Sequence, residues 1–123
     1  MISFDSFLPV GGAPIYLQIL LFLKRGIVAG TVVDGDELPS RRVLSALLGV
    51  NPNTVQKAYR LLEEEGLMVS HPGAKSLMRL DRAAVERVRA QLLEGDARNI
   101  AAAMKQMGLS KEEALHLLET YWD

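Results

Sequence analysis

A mainly α-helical fold with one small β-hairpin is predicted for this 123-residue chain. Three observations predict it. Three stretches before residue 66 carry apolar residues at three- and four-residue spacing and are closed by glycines. Two short extended runs, Leu67-Met68-Val69 and Ser76-Leu77-Met78, flank the turn signal His71-Pro72-Gly73. Beyond Leu80 the spacing is helical again.

Residues 1–12, with Pro9 and Gly11-Gly12, read as an N-terminal arm. The first helix runs from Pro14 to about Ala29, with Pro14 in the first turn, where a missing N–H costs nothing, and Gly30 as its close. Val33-Asp34-Gly35-Asp36-Glu37 reads as a turn. Ser40 is the expected N-cap of a second helix with the apolar stripe Val43, Leu44, Leu47 and Leu48. Gly49 ends it, and Asn51-Pro52 opens a third helix as N-cap and first helical residue; this helix reaches about Glu65 and stops at Gly66. Residues 13–80 thus form one domain and 81–123 a helical tail. In the tail, Asp81 caps a helix bearing Val85, Val88, Leu92 and Leu93. Gly95-Asp96 marks either a break or a weak point within it, and Ser110-Lys111-Glu112-Glu113 is a capping box for a last helix to Tyr121.

The composition is 49% apolar and 24% charged, enough for a core and ordinary for a soluble domain. The absence of cysteine excludes disulfides and thiolate zinc sites and fits a reducing cytoplasm. Ile19-Leu20-Leu21-Phe22-Leu23 is far short of the ~20 residues that a membrane helix needs. No basic segment precedes an apolar one at the N-terminus, so neither a secretion signal nor a membrane partner is expected. A net charge of −1 argues against a general polyanion binder, yet residues 13–80 sum to +2 and residues 81–123 to −2.

Two helices joined through Gly49-Val50-Asn51-Pro52 form a helix-turn-helix candidate, whose second helix would lie in a DNA major groove. With the hairpin as a wing, the fold class is a winged helix-turn-helix followed by a short helical dimerisation tail. On the third helix, Val55, Ala58, Tyr59 and Leu62 should face the core, while Asn53, Gln56, Lys57 and Arg60 share the opposite face. Amides can donate to and accept from an adenine edge. Lysine and arginine suit guanine or phosphate, and Thr54 suits a phosphate or a thymine methyl. An ordinary solvated face mixes glutamate with lysine; here the acids wait until Glu63-Glu64-Glu65.

Pro14-Ile15-Tyr16-Leu17-Gln18-Ile19, Leu38-Pro39-Ser40-Arg41-Arg42-Val43-Leu44, the run from Leu48 to Arg60, and Leu62-Glu63-Glu64-Glu65-Gly66-Leu67 together closely resemble the DNA-binding domain of the GntR family of transcription regulators. The Asn-Pro-Asn-Thr-Val opening and short tail look like its YtrA-type subfamily. The resemblance is dense over residues 14–80 and looser in the tail. It implies a sequence-specific regulator, a homodimeric repressor of a transporter-type operon that leaves double-stranded DNA when a small effector binds. By it, Arg42, matching the arginine of the Leu-Pro-Ser-x-Arg motif, contacts a DNA backbone or base, and Asn53, Thr54, Gln56 and Lys57 sit in the groove; Arg41, Asn51 and Arg60 complete the expected DNA surface. Gly73 and Lys75 belong to a wing that approaches the minor groove. The wing departs from the family's Gly-Lys-Gly-like tip, reading Gly73-Ala74-Lys75-Ser76, with Leu77 where an aromatic is common.

Leu20, Leu21 and Phe22 make the first helix apolar nearly all round, so Leu21 and Phe22 are expected to pack on the tail or a second copy. Ile100, Met104, Met107, Leu109, Leu115, Leu118 and Trp122 are more apolar surface than a helical pair hides. With Val88 and Leu92 they are the expected dimer seam, Met104 and Met107 acting as filler. Forty-three residues are too few for the large effector domain that many family members carry. No cofactor, metal or catalytic residue is expected: His71 and His116 have no motif partner, and Asp34-Gly35-Asp36-Glu37 lacks the spacing of a calcium loop. His71 reads as a wing residue and His116 as a surface or interface one. The competing reading is a winged-helix protein–protein interaction module without a DNA role, which should show a more apolar face with aromatic anchors.

Overall fold

The computed structural model describes residues 1–70, 73 and 75–123. It contains helices α1 (Ile15–Ala29), α2 (Arg41–Leu48), α3 (Pro52–Glu64), α4 (Arg82–Gln106) and α5 (Lys111–Thr120), with strands β1 (Met68–Val69) and β2 (Leu77–Met78) between α3 and α4. The chain forms two compact units, Met1–Arg89 and Ala90–Asp123. The first extends past the expected limit at Leu80 because Ala84 and Val88, in the first turns of α4, are buried. Val88, expected in a dimer seam, is 2% exposed within the single chain, and Leu92 is also buried. Both are covered within the single chain.

In the first unit α1 and α2 both pack on α3. Ile19, Leu23 and Ile27 from α1, Leu44 from α2, and Val55 and Leu62 from α3 are almost wholly excluded from water. After α1 the chain turns back so tightly that a Cβ on Gly26 would lie 2.6 Å from Val32 Cγ2. The Thr31 and Val32 N–H groups both donate to the Gly26 carbonyl. Ser40 and Asn51 act as the expected N-caps, accepting from the Val43 and Asn53 N–H groups, and Pro52 opens α3. The α2 stripe is only half realised. A two-turn helix offers α3 one narrow face, and that face is Leu44 and Ser45; Val43 and Leu47 stay more than half exposed.

The N-terminal residues lie on the domain. Ile2 N–H donates to the Glu37 carbonyl. The Gln18 amide binds both the N–H and the carbonyl of Val10, and the Ala13 carbonyl as well. Phe4 and Phe7 are buried, with ring centroids 5.1 and 5.4 Å from that of Phe22. The chain's own N-terminal aromatics thus pack on the Phe22 ring, which stays half-buried. Leu21 remains exposed.

The hairpin pairs Met68 with Met78 and Val69 with Leu77. The segment expected as a simple turn continues into a third extended stretch. Met78 N–H donates to the Asp36 carbonyl, Leu38 N–H donates to the Ser76 carbonyl, and Glu37 bridges Leu77. The outer edge of β2 is thereby paired rather than left open. Expectations for His71, Pro72 and Ala74 lie outside the described residues.

Polar contacts tie α3 to its surroundings. The Tyr59 hydroxyl donates to the Pro39 carbonyl at 2.7 Å, fixing the chain before α2. Burial pushes the Tyr59 phenol well above the ~10 of an ordinary tyrosine. The folded state therefore keeps a proton that the unfolded chain releases. That contribution is complete below about pH 10 and is lost progressively as pH climbs above it. In Tyr59→Phe the alkaline loss of stability in urea titrations should flatten, with a cost of ~1 kcal/mol at neutral pH from the stranded carbonyl.

At the C-cap of α3, the nearly buried Lys24 ammonium donates to Glu65 Oε1 at 2.8 Å. Arg87 Nη2 donates to the Glu65 carbonyl at 3.4 Å. Removing the Glu65 carboxylate strands the lysine, so Glu65→Ala is expected to cost ~2 kcal/mol in urea unfolding. Lys24→Met, which removes the buried charge itself, should cost less.

In the tail, α4 runs unbroken through Gly95-Asp96, which resolves the question the sequence leaves open. Ser110 and Glu113 form the reciprocal capping box that starts α5.

Candidate nucleic-acid interface

The third helix presents the two faces its spacing predicts. Val55, Ala58, Tyr59 and Leu62 are at most 3% exposed, whereas Asn53, Lys57 and Arg60 are open to solvent and Gln56 and Thr54 are half-buried. Arg41, Arg42, Asn53 and Gln56 line one open depression between the starts of α2 and α3, together with Ser40 and Pro52. Two arginines and two amides thus converge where two helix N-termini meet, and no acid lines the depression. Such a surface complements phosphate and the acceptor-rich edges of bases.

The members of this surface are held differently. Arg41 Nη1 donates to Gln56 Oε1, joining the first residue of α2 to the middle of α3. Asn51 uses its side-chain oxygen as a cap, which leaves it a structural duty first. The Lys57 ammonium sits 4.0 Å from the centroid of the Tyr16 ring on α1. It is therefore engaged with α1 in a cation–π contact of ~1 kcal/mol at an exposed site. Arg60 lies 3.8 Å from Glu64, one turn on. On the wing, Gly73 has a left-handed backbone with φ of 72°, and Lys75 lies 3.4 Å from Glu37. Lys75 stands apart from the depression and is partly neutralised. Tyr16 and Gln18 were not singled out by pattern; their only signal was membership of the Pro14–Ile19 motif.

In the tail unit, Ile100, Met107, Leu115 and Trp122 are 44%, 69%, 54% and 82% exposed. Met104 and Leu118 are half-buried. Ala97, Ile100, Met104, Leu109, Leu115 and Leu118 border an open apolar cavity of about 370 Å³ between α4 and α5. Among the described residues, no three His, Asp or Glu side chains gather as metal ligands would, and no helix is long and apolar enough to cross a membrane.

A capped helix-turn-helix, a hairpin wing and a polar, cation-rich third helix define the first unit as the winged helix-turn-helix domain of a DNA-binding transcription regulator. Residues 15–76 match the model of the bacterial regulatory proteins of the gntR family, and the chain belongs to that family. It is 36% identical over 107 residues to the HTH-type transcriptional repressor YtrA of Bacillus subtilis, covering 87% of this chain and 75% of that one, and is a YtrA-like member. Its fold is similar to that of a GntR family transcriptional regulator from Listeria monocytogenes, with a TM-score of 0.79, 30% identity, and 91% and 98% of the two chains covered. The DNA-binding domain of AraR, solved in complex with the operator ORX1, superposes with a TM-score of 0.51 and 25% identity over 58% of this chain and 86% of that one.

Proposed function

We propose that this regulator is a homodimeric repressor that reads a two-fold-related operator with α3 and the start of α2. The observation that carries this reading is the outward row Asn53, Gln56, Lys57 and Arg60 beside Arg41 and Arg42, opposite a face that is fully buried. Base contacts fall to Arg42, Asn53 and Gln56. Arg60, Thr54 and the wing residues Gly73 and Lys75 supply backbone contacts, and Lys57, held by Tyr16, reaches a phosphate at the groove edge. A protein-docking module would present aromatic anchors here, and α3 presents none on this face.

Dimerisation through the tail is supported by the apolar residues that α4 and α5 leave exposed. A second copy would cover Ile100, Met107, Leu115 and Trp122, and would present two recognition helices to half-sites about one helical turn, roughly 34–36 Å, apart. Leu21 and the half-buried Phe22 on α1 are further candidates for contact with a second copy. A small effector that releases the operator would occupy the apolar space between α4 and α5 that the second copy encloses. Control of a transporter-type operon from the cytoplasm, with no catalytic step, completes the reading.

The test is selection of bound sequences from a random duplex pool, with sedimentation of the complex. Enrichment of an inverted repeat bound by two chains, with affinity falling steeply with salt, is expected. A pool without a common sequence, or a single chain per duplex, contradicts it.

A further inference from the structure

Arg41 and Gln56 touch, and the contact has chemical direction. Arginine has five N–H donors and no acceptor, so only the amide oxygen of Gln56 can face it. Among the described residues the Gln56 amino group makes no hydrogen bond and remains available to a base, together with the remaining donors of the guanidinium. A lone glutamine reads adenine with both ends of its amide: the nitrogen donates to N7 and the oxygen accepts from the N6 amino group. Here one of the oxygen's two lone pairs is taken by a guanidinium, whose positive charge disfavours the approach of a second donor such as the N6 amino group. Donor would meet donor. Guanine offers two acceptors, O6 and N7, on the same edge, and an all-donor pair suits it.

We propose that Arg41 sets the base preference of Gln56: the two side chains act as one donor-only reading unit that selects guanine and rejects the adenine a solitary glutamine would take. Arg41 is exposed at the first position of α2, and Gln56, half-buried, lines the shared depression with it. Gln56 is therefore the constrained partner, and the guanidinium is a movable cover on its carbonyl. Asn53, one turn earlier on the same face, lacks such a cover and keeps both ends of its amide for adenine.

This inference rests on the groove reading above, and the two fail differently. Half-sites are selected from a random duplex pool with the wild type, Arg41→Met and the double variant Arg41→Met/Gln56→Ala. Methionine keeps the bulk of arginine without its donors, and both positions lie outside the core. The wild type should prefer guanine over adenine by ~10-fold or more at one base pair of each half-site. Arg41→Met should move that single position toward adenine by ~5-fold or more, and the double variant should lose the adenine gain. Adenine at that position with the wild type overturns the proposal. So do an unchanged preference in Arg41→Met, complete loss of binding in that variant, and an adenine gain that survives without Gln56. A wild type that enriches no sequence overturns the groove reading itself.

Discussion

Arg42→Ala is expected to weaken binding to a selected duplex by about 10- to 100-fold while leaving the urea midpoint unchanged. Arg42 lies on the exposed side of α2, in the same depression as Asn53 and Gln56, and its side chain has no part in the core. A truncation there removes a guanidinium placed for a guanine edge or a phosphate and leaves no cavity behind. Lys57→Ala is the informative contrast. Its ammonium rests on Tyr16 at the margin, so the loss should be smaller, uniform across sequences, and accompanied by a salt slope lower by about 1. Gel-shift titrations at several salt concentrations separate the two patterns. Equal, sequence-independent losses from both variants would mean that Arg42 positions the domain and reads nothing.

The larger effect is expected in the tail. Ile100→Glu combined with Leu115→Glu places two carboxylates on the exposed apolar rim of the α4–α5 cavity. Neither side chain is buried in the single chain, so the helices should still form, as circular dichroism would report. Sedimentation should show monomers. Operator affinity should fall by about 10²- to 10⁴-fold, because the second half-site would no longer be bound at high effective concentration. A variant that still sediments as a dimer would place the subunit contact elsewhere.

How far the sequence carried this account depends on how local each determinant is. The caps at Ser40, Asn51 and Ser110 and the two faces of α3 follow from spacing within one or two turns, and these features stand as read. Contacts between distant residues were not legible. That Phe4 and Phe7, some fifteen residues earlier, fold onto Phe22 leaves no trace in a one-dimensional pattern. Glu37 was read as part of a turn because its pairing with Leu77 spans forty residues. The stripe of α2 includes Val43 and Leu47, which stay exposed, because periodicity does not say how narrow a face an eight-residue helix buries. In the site, residue types and positions on α3 were legible, but their couplings were not. Arg41 with Gln56 and Tyr16 with Lys57 join separate helices, and only packing brings them together.

The central claim is that the outward side chains of α3 enter the groove. Nuclear magnetic resonance reads this directly, through the side-chain amide protons of Asn53 and Gln56 as a selected duplex is added. The account predicts that both shift and become protected from exchange with water, while the signals of Val55 and Leu62 on the buried face stay near their original positions. Side-chain amide signals of Asn53 and Gln56 that remain unmoved at saturation would contradict it.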